Sequence, residues 1–120
     1  MNQLNLGGVL GNSLLLAALL ALSHGILKWV AVNGGESLLE TLGRHWLLVG
    51  LALAIYGFIF FYYLVVLQRF NLASLYSIYT GLAVLFVVVI SVAFFQESLS
   101  RSQLLGCLFI ATGVALVGRV

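Results

Sequence analysis

The chain has no proline, one cysteine and only 7% charged side chains over 120 residues. An ordinary soluble domain carries about 25% charged residues, so a water-exposed globule is excluded. The single cysteine, Cys107, lies in an apolar run and can form no internal disulfide. It leaves the redox compartment open and reads as a packing residue. The three acids (Glu36, Glu40, Glu97) and five bases (Lys28, Arg44, Arg69, Arg101, Arg119) stand singly among the connectors. A nucleic-acid partner needs clustered cations, so the formal charge of +2 does not point to one. Met1 to Asn5 carry no basic residue ahead of the first apolar run, which is therefore expected to be retained rather than cleaved.

What is present is hydrocarbon, with 63% hydrophobic side chains. Apolar stretches run from Leu6 to Leu27, Trp46 to Leu67, Ser74 to Phe95 and Gln103 to Gly118. Each is close to the ~20 residues that cross a ~30 Å hydrocarbon core at 1.5 Å per residue. Lipid offers no partner to free backbone N–H and C=O groups, so such runs must be helices. The expected fold is all-α: one integral membrane domain, a bundle of four transmembrane helices.

The connectors 68–73 and 96–102 are short, which makes the helices they join antiparallel neighbours. The first connector, Lys28 to His45, contains Ser37-Leu-Leu-Glu40, a capping box, with Glu40 and Arg44 four apart. It predicts a short helix at 37–44 on the membrane surface, a solvated cap on the bundle. Ser100-Arg-Ser-Gln103 is a second capping box and starts the fourth span. Arg69 and Arg119 lie on the N-terminal side of the membrane, against Lys28, Arg44 and Arg101 on the other. That count is nearly balanced and leaves orientation open between dual insertion, a partner that fixes direction and a cytoplasmic first connector.

Tyr76, Tyr79, Thr80 and Ala83 recur at i, i+3, i+4 and i+7, placing two phenols and a hydroxyl on one face of span three. Phenols in hydrocarbon need partners, so this stripe is expected to look into the bundle or a wet cavity and to line a substrate path. The alternative makes Tyr76 an interfacial belt residue and Tyr79 interhelical glue. In span one, Asn12 is the deeper polar group, and His24 and Lys28 are four apart near the far end. Lys28 can snorkel to the headgroups. No span carries an ionisable group at its middle, which argues against a proton-coupled mechanism. Gly106 and Gly113 lie seven apart on span four; they mark either an oligomer contact or close packing within one protomer. There is no metal-spaced cluster, phosphate-cradling glycine loop or nucleophile with a base, so neither an enzyme nor a cofactor or metal is expected.

Tyr76-Ser-Ile-Tyr79-Thr-Gly81, then Phe94-Phe95-Gln96-Glu97-Ser98-Leu99-Ser100, then Leu105-Gly106 through Gly113-Val114 resemble the drug/metabolite transporter superfamily in its four-helix form. The His24-Gly25-Ile26-Leu27-Lys28 end of span one is similar to that superfamily too. The resemblance covers most of the chain, loosely in span two, and implies a fold of the small multidrug resistance or EamA-like type. In the small multidrug resistance branch a Glu eight residues before the Lys carries protons and drug cations. Leu20 stands there in this chain, which argues against proton-coupled export of cations.

The branch that also lacks the acid comprises the paired subunits of the 4-amino-4-deoxy-L-arabinose-phosphoundecaprenol flippase. The chain resembles it in length, in Lys28 and in Glu97. This resemblance implies a multi-pass protein of the bacterial inner membrane, a homodimer or heterodimer with a related four-helix subunit, and a membrane lipid or lipid-linked sugar as cargo. Tyr76, Tyr79, Thr80, Asn12, His24, Lys28 and Glu97 are the substrate-binding candidates, with Gly106 and Gly113 at the oligomer interface. A small-molecule exporter and a non-transporting accessory subunit are the competing readings.

Overall fold

The computed structural model describes residues 6–118. Five helices follow one another: α1 (Leu6–Val32), α2 (Leu38–Arg44), α3 (Trp46–Leu67), α4 (Leu72–Phe94) and α5 (Arg101–Gly118). α1, α3, α4 and α5 are long and apolar enough to cross a membrane. The fold is an all-helical, four-span membrane architecture, 50 × 36 × 17 Å in extent.

α1 continues to Val32 rather than ending at Leu27, so Lys28 belongs to the helix and not to the connector. The reason is local. Leu27 to Val32 is apolar apart from Lys28, whose stem reaches outward, and nothing halts the helix before Asn33-Gly34-Gly35. There Asn33 caps it by donating both its backbone N–H and its Nδ2 to Trp29 O, at 3.0 and 2.9 Å. At 27 residues, α1 is about 40 Å long, about 10 Å more than the ~30 Å hydrocarbon core.

One capping box forms in half and the other in full. Ser37 Oγ accepts from Glu40 N at 3.1 Å, though the Glu40 carboxylate takes the backbone N–H of Glu36 rather than that of the cap residue. The second is fully reciprocal: Gln103 N donates to Ser100 Oγ and Ser100 N to Gln103 Oε1, at 3.1 and 2.8 Å. α5 accordingly starts at Arg101, two residues ahead of the Gln103 expected for span four. Glu40 and Arg44 pair at 3.0 Å on the exposed face of α2, a contact that contributes a few tenths of a kcal/mol at most, roughly.

α1 is the central helix, packed against α4 and α3, while α5 leans on α4. Leu16 and Ala17 of α1, Ile59 of α3, and Tyr79 and Ala83 of α4 form one buried cluster. Val9, Val66, Leu75 and Ile78 form a second, nearer the α1 N-terminus. Ser13 and Ser23 of α1 are also fully buried, with hydroxyls that find no partner among the described residues. Their small size lets α1 approach its neighbours, which is how helices associate where hydrophobic burial gives no preference.

α5 buries no residue completely. It approaches α4 closely at Gly81, where an added Cβ would overlap Val114 Cγ2. Gly106 and Gly113 have open space where a Cβ would stand. Close packing of those two glycines within one protomer is therefore not what the structure holds.

Candidate functional site

The stripe of α4 keeps its two tyrosines in contact but does not present them on one buried face. Tyr79 and Ala83 are buried toward α1 and α3, whereas Tyr76 is 52% exposed and Thr80 turns toward α5. The buried face of α4 follows Leu75, Ile78, Tyr79, Leu82, Ala83 and Phe86, so its centre lies on one flank of the stripe. Tyr79 instead joins Tyr63 and Tyr76 in an aromatic triangle, with ring centroids 5.6 Å (Tyr63–Tyr79), 6.3 Å (Tyr76–Tyr79) and 6.4 Å (Tyr63–Tyr76) apart. The two tilted contacts of Tyr63 join α3 to α4, while the edge-on pair of Tyr76 and Tyr79 lies within α4. Thr80 Oγ1 donates to Tyr76 O at 2.6 Å and borders a groove shared with Ser77, Gly113 and Val114.

Asn12 lies elsewhere again. Its Oδ1 accepts from Tyr62 OH at 2.6 Å, and its Nδ2 donates to Gly8 O at 2.7 Å. This bond joins α1 to α3 across 50 sequence positions. Tyr62 and Tyr63 carried no sequence signal, because α3 is apolar all round and no polar flank marks which of its faces is buried.

His24, Lys28 and Glu97 do come together. Lys28 Nζ and Glu97 Oε2 are 3.2 Å apart, each side chain about half exposed, linking α1 to the α4–α5 connector. His24 stands one turn below Lys28, edge-on to Tyr56 at 6.2 Å. The three border a cleft of about 210 Å³ that also takes in Ser91 and Phe95.

Beside this cleft is an almost wholly apolar slot of about 410 Å³, walled by Leu22, Ile26, Trp29, Leu48 and Phe94. The two cavities share Gly25, Ile90 and Phe95. A charged compartment and a hydrocarbon compartment therefore meet across a single wall. Trp29, which lines the slot, packs edge-on against His45 at 5.2 Å, and His45 Nε2 contacts Asn33 O at 2.9 Å.

The position of Glu97 depends on a backbone feature the sequence did not reveal. Gln96 has φ +55°, the left-handed conformation that usually calls for glycine. It ends α4, turns the connector back, and lets Glu97 N donate to Ser91 O at 3.1 Å while its carboxylate reaches Lys28. Gln96→Gly is expected to raise the unfolding midpoint in detergent by the equivalent of ~0.5–1 kcal/mol, relief of left-handed strain less the added chain entropy. Gln96→Val should lower it. An unchanged or lowered midpoint for the glycine variant would mean that the turn is unstrained.

Among the described residues no group of three or more His, Cys, Asp or Glu is arranged to hold a metal. What the fold and cavities define is a polytopic α-helical membrane protein with an amphiphilic cleft at one end of its helices. The model of the EamA-like transporter family matches residues 2–119, and the chain belongs to that family, within the drug/metabolite transporter superfamily. It is thus a membrane transporter by family. No solved structure matches it.

Proposed function

We propose that this transporter moves a polyprenyl-phosphate-linked sugar of the aminoarabinose type across the bacterial inner membrane, acting as a dimer. The observation that carries the reading is the shared wall between the charged cleft at His24, Lys28 and Glu97 and the apolar slot beside it. A cargo suited to both compartments is an amphiphile with a charged head and a hydrocarbon chain.

The ion pair favours a head bearing both signs. Lys28 and Glu97 hold each other at rest; a phosphate can take the Lys28 ammonium and an amine the Glu97 carboxylate, exchanging one pair for two. The slot of Leu22, Ile26, Trp29 and Phe94 then takes the first isoprenes of the chain. Tyr76 is exposed on α4, whereas Tyr79 is buried, so a sugar meets Tyr79, with Asn12 and Thr80, only as the helices part during transfer.

Four helices of one protomer enclose little beyond their own side chains, so a path for the head calls for a second subunit, identical or related. The small-residue side of α5, where Gly106 and Gly113 leave open space and Gly113 borders the groove toward α4, is the surface we assign to that contact. With no ionisable side chain at mid-span, no coupling ion is required. Consumption of the cargo on the far side suffices as the driving force.

The test is transfer of a labelled polyprenyl-phosphate aminosugar in reconstituted vesicles, with sidedness read by a membrane-impermeant reagent. The expected result is transfer that depends on the protein, alone or with its related subunit. No protein-dependent transfer in either arrangement contradicts the proposal.

A further inference from the structure

At the opposite end of the helices from Lys28, α1, α3 and the α3–α4 turn enclose a larger cleft of about 540 Å³. Its lining includes Asn12, Phe58, Phe61, Tyr62, Arg69 and Phe70. Phe58, Phe61, Tyr62, Val65 and Arg69 follow at i, i+3, i+4, i+7 and i+11, so a single apolar stripe runs to a guanidinium. Eleven residues of helix cover about 16 Å, close to the depth of one leaflet of a ~30 Å hydrocarbon core. Phe58 and Phe61 are more than half exposed along that stripe. Tyr62 and Asn12, hydrogen-bonded to each other, form a polar spot on its α1 side. Phe70 closes the top against α1, where Gly8 leaves room: a Cβ there would come within 3.0 Å of the Phe70 ring.

Charge decides what this cleft takes. Glu36, Glu40 and Glu97 all lie at the other end of the spans, alternating with Lys28, Arg44 and Arg101. Arg69 has no ion-pair partner among the described residues and no described carboxylate at its end of the bundle. A guanidinium at the headgroup level, at the head of a leaflet-deep aromatic stripe, is complementary to a phosphate that carries an acyl chain. Free phosphate would satisfy the cation and leave the stripe unused.

We infer that the Arg69 cleft is a binding site for an acidic phospholipid of the adjoining leaflet, its phosphate on Arg69 and one acyl chain along Phe58, Phe61 and Val65. The site is separate from the cleft at Lys28 and does not depend on the cargo proposed for that cleft.

The test uses the full chain in mixed micelles of phosphatidylglycerol and phosphatidylcholine, with retained lipid counted by native mass spectrometry. The protein should retain phosphatidylglycerol over phosphatidylcholine by about fivefold: both lipids carry the phosphate, but the choline cation of the second offsets its charge beside Arg69, so the preference is that of one basic residue for net anionic lipid. Arg69→Gln should abolish that preference, Arg69→Lys keep part of it, and Arg101→Gln leave it intact. Millimolar inorganic phosphate should not displace the lipid. As a second readout, the tryptophan of a Phe61→Trp variant should be quenched more by chain-brominated phosphatidylglycerol than by the equivalent phosphatidylcholine. Equal retention by Arg69→Gln, equal loss on Arg101→Gln, displacement by free phosphate or equal quenching by both lipids would each overturn the assignment.

Discussion

Lys28→Met is expected to cut transfer of a labelled polyprenyl-phosphate aminosugar by at least about tenfold, because a charge-assisted phosphate contact is worth ~1.5–3 kcal/mol. Methionine keeps much of the apolar stem that packs along the cleft, so the variant isolates the ammonium. Lys28 and Glu97 are each about half exposed, and losing such a pair should hardly affect stability. Unfolding in detergent therefore serves as the control. Glu97→Gln separates the roles further: it frees Lys28 for phosphate but removes the site for the amine. Affinity for a polyprenyl phosphate without the sugar should rise, while transfer of the aminosugar lipid should fall. If Lys28→Met transfers at the rate of the unaltered chain, the charged cleft has no part in transport.

Gly81→Ala should destabilise the seating of α5 on α4 by ~1–3 kcal/mol, the usual cost of forcing a methyl group into filled space. The Val114 methyl that occupies that space belongs to a β-branched side chain with little rotamer freedom. Unfolding in mixed micelles would measure the loss. Adding Val114→Ala should recover most of it, giving a coupling between the two sites that independent positions would not show. Gly113→Ala, by contrast, meets open space within the protomer and should leave monomer stability unchanged or raised by up to ~1 kcal/mol. Equal losses for Gly81→Ala and Gly113→Ala would contradict the packing described for α5.

The helices were legible in the sequence because lipid leaves the backbone no alternative, and the helix starts because Ser37 and Ser100 carry their partners three residues on. The end of α1 was misjudged at Lys28, where a charge was taken for a boundary although a lysine at the headgroup level can remain in a helix. Faces were harder. Spacing identifies which residues share a side of a helix but not where that side looks, and a span apolar all round offers no polar flank to orient it. Hence Tyr76 and Tyr79 were grouped correctly as neighbours, yet only Tyr79 is buried. Gly106 and Gly113 drew notice by their interval, while the intimate contact was made by Gly81, one glycine against one valine.

The candidate site was legible in part. Glu97 was picked out through the family resemblance and His24 and Lys28 as polar exceptions in an apolar span, and the structure joins them at one cleft. Asn12, Tyr79 and Thr80 were picked out on the same ground but fall at three separate places. The apolar slot was invisible in advance, since Leu22, Ile26, Trp29 and Phe94 differ in nothing from the hydrophobic residues around them. So was the turn at Gln96, where a glutamine occupies a conformation its type does not advertise.

The claim that a charged head and a hydrocarbon chain occupy two adjoining compartments is tested most directly by photolabelling. A polyprenyl phosphate with a diazirine in its first isoprenes would be crosslinked to the reconstituted protein and the adducts mapped by peptide mass spectrometry. Adducts should concentrate on Leu22, Ile26, Trp29 and Phe94 and fade when Lys28→Met weakens the hold on the phosphate. Labelling centred on Phe58 and Phe61, or spread evenly over the outer faces of the helices, would contradict it.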